Sequence, residues 1–540
     1  MNNKAHIMLF LSALACCIGL AHTPCLAVGD TTQAKPGEKP AAAPTRQAGT
    51  YDSVRELQVD LENLLADERF SSASIGAGVY SPSRGAWLFE HRRNKAMLPA
   101  SCVKLFTTAA ALEQLGPDFV YSTSLYLDGV IKSNGEFVGN VIIRGAGDPT
   151  MSAAFGDVPE AILDEWVDQF ELHGISSIRG NLVGDDSYFD HVALGPGWAW
   201  DDAGYAFSAE VSALSFFDNK VIVVVEPGDS VDAPVRAEMR PRNEYVELRV
   251  HALTGPADSI SSIQVQRDAN ANVVHIHGRL PYDSVAHRRF ETHEIAVINP
   301  TRYTLHLFER ALEERGIRFR GRSFDSESWG DYIDYTDIRP IYQHTSPPLG
   351  SIVGVINRHS HNLAAEMLFK TLAKESTGIG SFEAGAEVLR SFGARHDVAP
   401  ESIFIVDGSG LSRLNSVAPQ QIISVLTAMY NSPHRDIFTA SLATPGTNGT
   451  MENRMKGSSA ETRVFAKTGT MNNTSALAGY VYSADGEALA FAVIVNHATA
   501  PTSLARNLQD LFAMRLAGFR RSSSAERAEP EGKHPHKSMN

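Results

Sequence analysis

Cysteine is scarce. The 540-residue chain has four, and three of them, Cys16, Cys17 and Cys25, fall in its opening segment. If that segment is removed on export, only Cys102 remains, so no internal disulfide can form and a fold resting on disulfide staples is excluded. Positive charge is also short: 48 Lys and Arg against 62 Asp and Glu leave a formal net charge of −14. That balance argues against a nucleic-acid partner and gives no sign of electrostatic docking on a membrane. Long apolar runs are missing apart from Ile7 to Leu20, which is short for a spanning helix, so no transmembrane segment is expected in the mature chain. The glycine-rich run Gly145-Ala-Gly-Asp-Pro149 lacks the strand, helix and lysine of a phosphate loop and reads as a turn. No cofactor is expected.

The ends have recognisable character. Met1 to His6, the apolar stretch Ile7 to Leu20 and the small-residue site Cys25-Leu26-Ala27 form a secretory signal over residues 1–27, so an exported, periplasmic protein is expected. Leu14-Ala15-Cys16 faintly resembles a lipoprotein box, although Ala13 stands where a larger apolar residue is usual. Residues 28–50, rich in Ala, Pro, Lys, Thr and Gly without apolar period, read as a flexible linker, and residues 520–540 as a disordered tail. Peripheral association with wall or membrane, and the oligomeric state, are left open.

Three short polar clusters follow one another along the chain: Ser101-Cys102-Val103-Lys104, Ser360-His361-Asn362 and Lys467-Thr468-Gly469-Thr470. The first places a hydroxyl and an amine three residues apart at a helix start, on one helical face. A serine hydroxyl is a weak nucleophile at neutral pH, so a neighbouring base must take its proton as it attacks a carbonyl. Lys104 can do so only when neutral. Burial or a second cation, for which Lys467 is the candidate, would favour the uncharged amine. Pro99 stands at the helix start, and Leu105, Ala109 and Leu112 make an apolar stripe beneath the serine. An ordinary amphipathic helix would also explain that stripe, but not the two later clusters. Around the third cluster, Val464, Ala466 and Thr468 alternate with Phe465 and Lys467 as in a half-buried strand. At a sheet edge beside Ser101 this strand could pair with an extended peptide while Lys467 and Thr468 receive its terminal carboxylate. In a plain hairpin strand Lys467 would instead face water, and Gly469 fits a turn or close approach by a ligand.

The three clusters match the set of penicillin-binding proteins and class A β-lactamases. With Leu98-Pro-Ala-Ser-Cys-Val-Lys-Leu-Phe-Thr-Thr-Ala-Ala-Ala-Leu112, Gly145 to Pro149, Ser346-Pro-Pro-Leu349, Asn362-Leu-Ala-Ala-Glu-Met-Leu368, Asp407-Gly-Ser-Gly-Leu-Ser412 and Ala466-Lys-Thr-Gly-Thr470, the chain resembles the class C low-molecular-mass penicillin-binding proteins from about Tyr51 to Phe519. These are D-alanyl-D-alanine carboxypeptidases and endopeptidases. The resemblance implies peptidoglycan peptides as substrates and β-lactams as acylating pseudo-substrates. It implies Ser101 as nucleophile, Lys104 as proton acceptor, Ser360 as proton relay, and Asn362 as a holder of Lys104 and a substrate amide. Lys467 and Thr468 would bind the carboxylate, and the backbone N–H groups of Ser101 and Thr470 would form the oxyanion hole.

His361 departs from the family pattern, which commonly has an acidic residue there. If its side chain points away from the pocket the change is mild; if it approaches the lysines it shifts their protonation. His359 and His361 alone make a poor metal site, and no metal is expected. Cys102, beside the nucleophile, reads as a small packed residue. A β-lactamase with rapid deacylation and a wall-binding protein without chemistry are the alternative functions.

At this length, with 43% hydrophobic and 20% charged residues, a globular chain of several domains is expected. The expected class is α+β, a penicillin-binding, β-lactamase-like serine transpeptidase fold with an antiparallel five-stranded sheet and helices on both faces. The catalytic domain is expected to be split over residues 51–115 and 340–519. Its pattern predicts a helix from Ser53 to Leu65, a hairpin Ile75–Tyr80 and Ala86–Glu90, strands Arg463–Lys467, Ala476–Tyr482 and Ala488–Val495, and a helix Ser503–Leu516. Residues 116–339 read as a strand-rich insertion with helices near Pro159–Leu172 and Thr301–Glu314, and the resemblance implies two nested domains there.

Overall fold

A computed structural model describes residues 53–156, 158–282 and 290–521. The expected signal, the linker and the tail beyond Arg521 lie outside the described residues. The first helix, Val54–Leu65, starts where Ser53 Oγ accepts the Glu56 N–H at 3.2 Å, and it buries Leu57, Leu61 and Leu65 on one face. Strands Ser74–Ser81 and Ala86–His91 then form the expected hairpin.

That hairpin extends a sheet whose other strands come from the far end of the chain. The order is Val464–Met471, Thr474–Tyr482, Ala488–Asn496, Ser74–Ser81, Ala86–His91, with every neighbouring pair antiparallel. The two central C-terminal strands are apolar almost throughout because each face of the sheet carries its own core. Leu477, Val481, Phe491 and Val493 pack with the helices Val54–Leu65 and Thr502–Gly518, where Phe89 meets Phe512 edge-on at 5.8 Å. Ala476, Ala478, Tyr480 and Ile494 face a second layer of helices on the opposite side. A fully buried side chain of this size contributes about 1.5–3 kcal/mol, so the sheet is a rigid platform for whatever its edge carries.

The second layer comprises the helices Lys104–Gln114, Leu349–Arg358, Asn362–Thr377, Phe382–Arg395 and Pro419–Asn431. Here the expectation of an amphipathic helix opening at Pro99 is corrected. Ala100–Val103 is a 3-10 turn, the α-helix begins only at Lys104, and every residue from Lys104 to Leu112 is buried. A helix enclosed by the four other helices of this layer and by Arg435–Ser441 has no wet face, so a single stripe was too small an estimate of its apolar surface.

The middle of the chain has separate sheets and its own apolar core. Strands Ser122–Ile131 and Glu136–Arg144 pair along their length, short parallel strands extend the sheet, and Pro340–Thr345 pairs antiparallel with Ser122–Ile131. Helices Pro159–Leu172 and Pro300–Glu314 contribute Trp166, Phe170 and Phe308 to this core. Two three-stranded sheets follow, one around Lys220–Glu226 and one around Val273–His277. Among the described residues, no helix is long and apolar enough to cross a membrane.

Candidate active site

Ser101 sits in the 3-10 turn that leads into the buried helix, against the edge strand Val464–Met471. The turn is tight: Ala100 adopts φ +47°, and Ser360, opening the second cluster, adopts φ +59°. Non-glycine residues in the left-handed region store strain that surrounding structure must hold. Two glycines make room for the turn. A Cβ on Gly410, whose φ is +83°, would stand 2.0 Å from Ala100 O, and one on Gly469 would stand 2.7 Å from Pro99 O. Cys102 points away from the serine, fully buried, with Sγ 3.5 Å from Lys467 O. Burial pushes its thiol up to about 12, so it is a packed, un-ionised residue as expected.

Lys104 makes three contacts that decide its state. Its Nζ lies 2.7 Å from Asn362 Oδ1, 2.7 Å from Ser409 O and 3.1 Å from Ser101 Oγ. The first two partners are carbonyl oxygens and can only accept, so they take two N–H bonds. In the neutral amine the remaining position is a lone pair, aimed at the one partner able to donate a proton, the Ser101 hydroxyl. Burial, and after it the charge of Lys467, holds the Lys104 amine well below the ordinary lysine range, against the opposing pull of Glu366 and Asp407. An uncharged amine here is what proton abstraction from Ser101 requires.

Lys467 is also fully buried, which excludes the reading of a strand lysine facing water. It donates to Ser360 Oγ at 2.8 Å and to Thr468 O at 2.7 Å. Burial lowers it to about 8, leaving it largely cationic at neutral pH. Thr468 Oγ1 donates to Thr450 Oγ1 at 2.8 Å, and Thr470, with an exposed side chain, pairs with Ser475. Asn362 spans two regions: Oδ1 holds Lys104, while Nδ2 donates to Phe207 O at 2.8 Å. The predicted groups Ser101, Lys104, Ser360, Asn362, Lys467, Thr468, Gly469 and Thr470 are thus drawn from three distant stretches around one serine.

His361 takes the first of its two readings. Its Nδ1 accepts the Ala364 N–H at 3.2 Å, capping the helix Asn362–Thr377, and its Nε2 lies 3.1 Å from Asp218 Oδ1. Neither ring nitrogen is directed to a lysine.

One supporting group was not foreseen. Glu366, fully buried on that helix, accepts the N–H groups of Gly408 and Ser409 at 2.7 and 2.8 Å, fixing the loop whose Ser409 carbonyl holds Lys104. Asp407 locks the same loop by accepting from Gly410 N, Ser412 N and Asn415 Nδ2. Burial, then the Asp407 charge, pushes the Glu366 carboxyl up. An acid in an apolar helix has no signature in a single sequence until its buried face is known.

A serine hydroxyl set against a buried, uncharged amine, with a second buried lysine on the neighbouring edge strand, defines an active-serine acyl-transfer enzyme. Comparison with known proteins agrees. The profile of the family described as D-Ala-D-Ala carboxypeptidase 3 (S13) matches residues 57–516. A D-alanyl-D-alanine carboxypeptidase of Actinomadura sp. (strain R39) is 34% identical over 488 residues, covering 88% of this chain and 87% of that one. A Haemophilus influenzae D-alanyl-D-alanine carboxypeptidase is 28% identical over 435 residues, covering 78% and 85%. The crystal structure of penicillin binding protein 4 from the same organism shares the fold, with a TM-score of 0.72 at 24% identity over 84% of this chain and 98% of that one. The chain therefore belongs to the S13 family of D-Ala-D-Ala carboxypeptidases and is a serine-type hydrolase.

Proposed function

We propose that the enzyme cleaves peptide bonds that follow a D-alanine in peptidoglycan stem peptides, acting as carboxypeptidase and endopeptidase, and that β-lactams acylate the same serine. Ser101 Oγ attacks the D-alanyl carbonyl while its proton passes to Lys104 Nζ. The backbone N–H groups of Ser101 and Thr470 receive the oxyanion; one such donor is worth about 2.7–4 kcal/mol in other acyl-transfer enzymes. As the C–N bond breaks, Ser360 relays a proton to the leaving amine, and water then cleaves the ester. Lys467 and Thr468 take the terminal carboxylate, and Asn362 holds Lys104 and a substrate amide. The observation that carries this reading is the Lys104 triad of contacts to Ser101, Asn362 and Ser409. It also speaks against a wall-binding protein without chemistry, since an uncharged buried lysine is costly and serves no docking surface.

Family membership and the opening sequence support export to the periplasm and a wall substrate. The shared sheet of Ser74–His91 and Val464–Asn496 supports a catalytic domain split around an insertion with sheets of its own, for which two nested domains were expected at 116–339. Pro340–Thr345 pairs with Ser122–Ile131 and so belongs to the inserted sheet, which moves the return into the catalytic domain from residue 340 to about 346. The purified protein incubated with crosslinked and uncrosslinked muropeptides should release D-alanine and also separate crosslinked dimers. Intact muropeptides after incubation with protein that still binds a fluorescent penicillin would reject the substrate assignment.

A further inference from the structure

A site unrelated to Ser101 lies on the inserted region. The strand Val273–His277 is central in a three-stranded sheet, parallel to Glu247–Val250 and antiparallel to Gln264–Arg267. Val274 and Ile276 enter the apolar core, so His275 and His277 project from the opposite face. The chain beyond Val250 continues the parallel register, with His251 N donating to Ile276 O at 2.8 Å, and this brings a third imidazole beside them. Ring centroids of His251 and His277 are 4.9 Å apart, those of His275 lie 6.0 Å from both, and the rings are within 13° of parallel.

One nitrogen from each ring lies within 4.8 Å of the others. Around a tetrahedral ion with metal–nitrogen bonds of about 2.1 Å, ligand nitrogens stand about 3.4 Å apart. Half-exposed to exposed side chains on a fixed sheet can close that difference by χ1 and χ2 rotations that turn the rings out of their parallel stack and let the in-plane lone pairs converge. His275 is also oriented: its Nε2 lies 3.2 Å from the Asp268 carboxylate. A carboxylate on one ring nitrogen fixes the tautomer and leaves the other nitrogen with its lone pair, the arrangement found behind metal-bound histidines.

We infer that His251, His275 and His277 form a binding site for one divalent transition cation of the zinc, nickel and copper class, oriented by Asp268. Three imidazole nitrogens suit these ions and not magnesium or calcium, which take oxygen ligands. The bound ion ties the chain after Val250 to the strand Val273–His277, so it staples the inserted region and takes no part in the serine chemistry.

The test uses the full chain, stripped with a chelator and titrated calorimetrically with zinc chloride, beside a His251→Ala/His277→Ala variant. All other histidines, including His534 and His536, are present in both proteins. The unaltered chain should take up one zinc ion that the variant loses or binds at least about tenfold more weakly. Equal uptake by both proteins, or none by the unaltered chain, overturns the assignment and leaves three stacked imidazoles. Copper(II) added to the unaltered protein supplies a measurement independent of the variant's folding. Nitrogen hyperfine splitting in its electron paramagnetic resonance spectrum is expected, and coordination by oxygen alone would overturn the site.

Discussion

The imidazole of His361 lies 3.1 Å from the carboxylate of Asp218, a residue 143 positions earlier in the chain. The pair fastens the turn carrying Ser360 and Asn362 to the inserted region, and Lys220 Nζ completes the cluster 3.3 Å from Asp218. Burial alone would raise the Asp218 carboxyl, but His361 and Lys220 outweigh it and hold the group well below the usual carboxylate range. The middle residue of the second cluster is therefore a strut between regions of the fold and does not set the protonation of the lysines.

Breaking that strut should cost stability more than chemistry. Asp218→Asn leaves His361 without its anion and Lys220 with Glu294 alone, 3.0 Å away, and removing one partner of a buried pair typically costs about 3–5 kcal/mol. A carboxylate depressed in the folded state stabilises above its unfolded value of about 3.9, and that contribution is lost as pH falls through the folded value. Melting temperatures of the wild type and the variant should therefore differ at neutral pH and converge under acid. Penicillin acylation by the folded variant should stay within about tenfold of wild type, since no reacting group is altered. Equal melting temperatures at pH 7 would remove the strut.

The difference between what could and could not be read in advance follows from this geometry. Ser101 and Lys104 were legible because a three-residue spacing brings their side chains together locally, and the strand at Lys467 because its neighbours have strand character. The antiparallel sheet with helices on both faces was legible from apolar runs such as Ala488 to Val495, bounded by turns. Burial on all sides of Lys104–Leu112 was not, since it comes from partners far along the chain. Glu366 and the carbonyl of Ser409 were hidden for a related reason: a backbone oxygen has no residue signature, and its acidic support acts through N–H groups 42 and 43 positions away.

The two lysines should give acylation by peptide a bell-shaped pH profile. Lys104 must be uncharged to accept the Ser101 proton, and burial together with Lys467 lowers its pKa, so activity rises as this amine deprotonates. Lys467 must be charged to hold a carboxylate, and burial lowers it to about 8, so activity falls as pH passes that value. Lys467→Arg keeps its charge up to about pH 12 and should remove the alkaline limb while lowering the maximum rate. An alkaline limb unchanged in this variant would assign it to another group.

Gly410 allows the loop around Lys104 to reach the turn before Ser101. Gly410→Ala places a Cβ 2.0 Å from the Ala100 carbonyl oxygen at a φ of +83°, and neither backbone can move without displacing Ser101 or Ser409. The αL penalty alone is about 1–2 kcal/mol, and the overlap adds to it. Loss of most fluorescent-penicillin labelling is expected, with a lowered melting temperature. Normal labelling would show that the loop tolerates displacement and that the Ser409 contact is dispensable.

Glu366 should behave as a positioning residue, acting on the reaction only through Lys104. Glu366→Gln retains the shape, but one of the two acceptors facing the N–H groups of Gly408 and Ser409 becomes a donor, leaving one of those buried N–H groups unpaired. Leaving a buried N–H without its acceptor costs about 1–3 kcal/mol, and the loop should relax by moving the Ser409 carbonyl away from Lys104. With that acceptor gone, the amine is less firmly aimed at Ser101. The acylation rate should drop by about tenfold or more, while affinity for a non-reacting peptide is nearly unchanged, because no group that touches substrate is altered. Both quantities can be separated by stopped-flow acylation at varied ligand concentration. A variant with reduced melting temperature but a wild-type acylation rate would confine Glu366 to the fold, and weakened affinity at an unchanged rate would place its influence on the cleft instead of on Lys104.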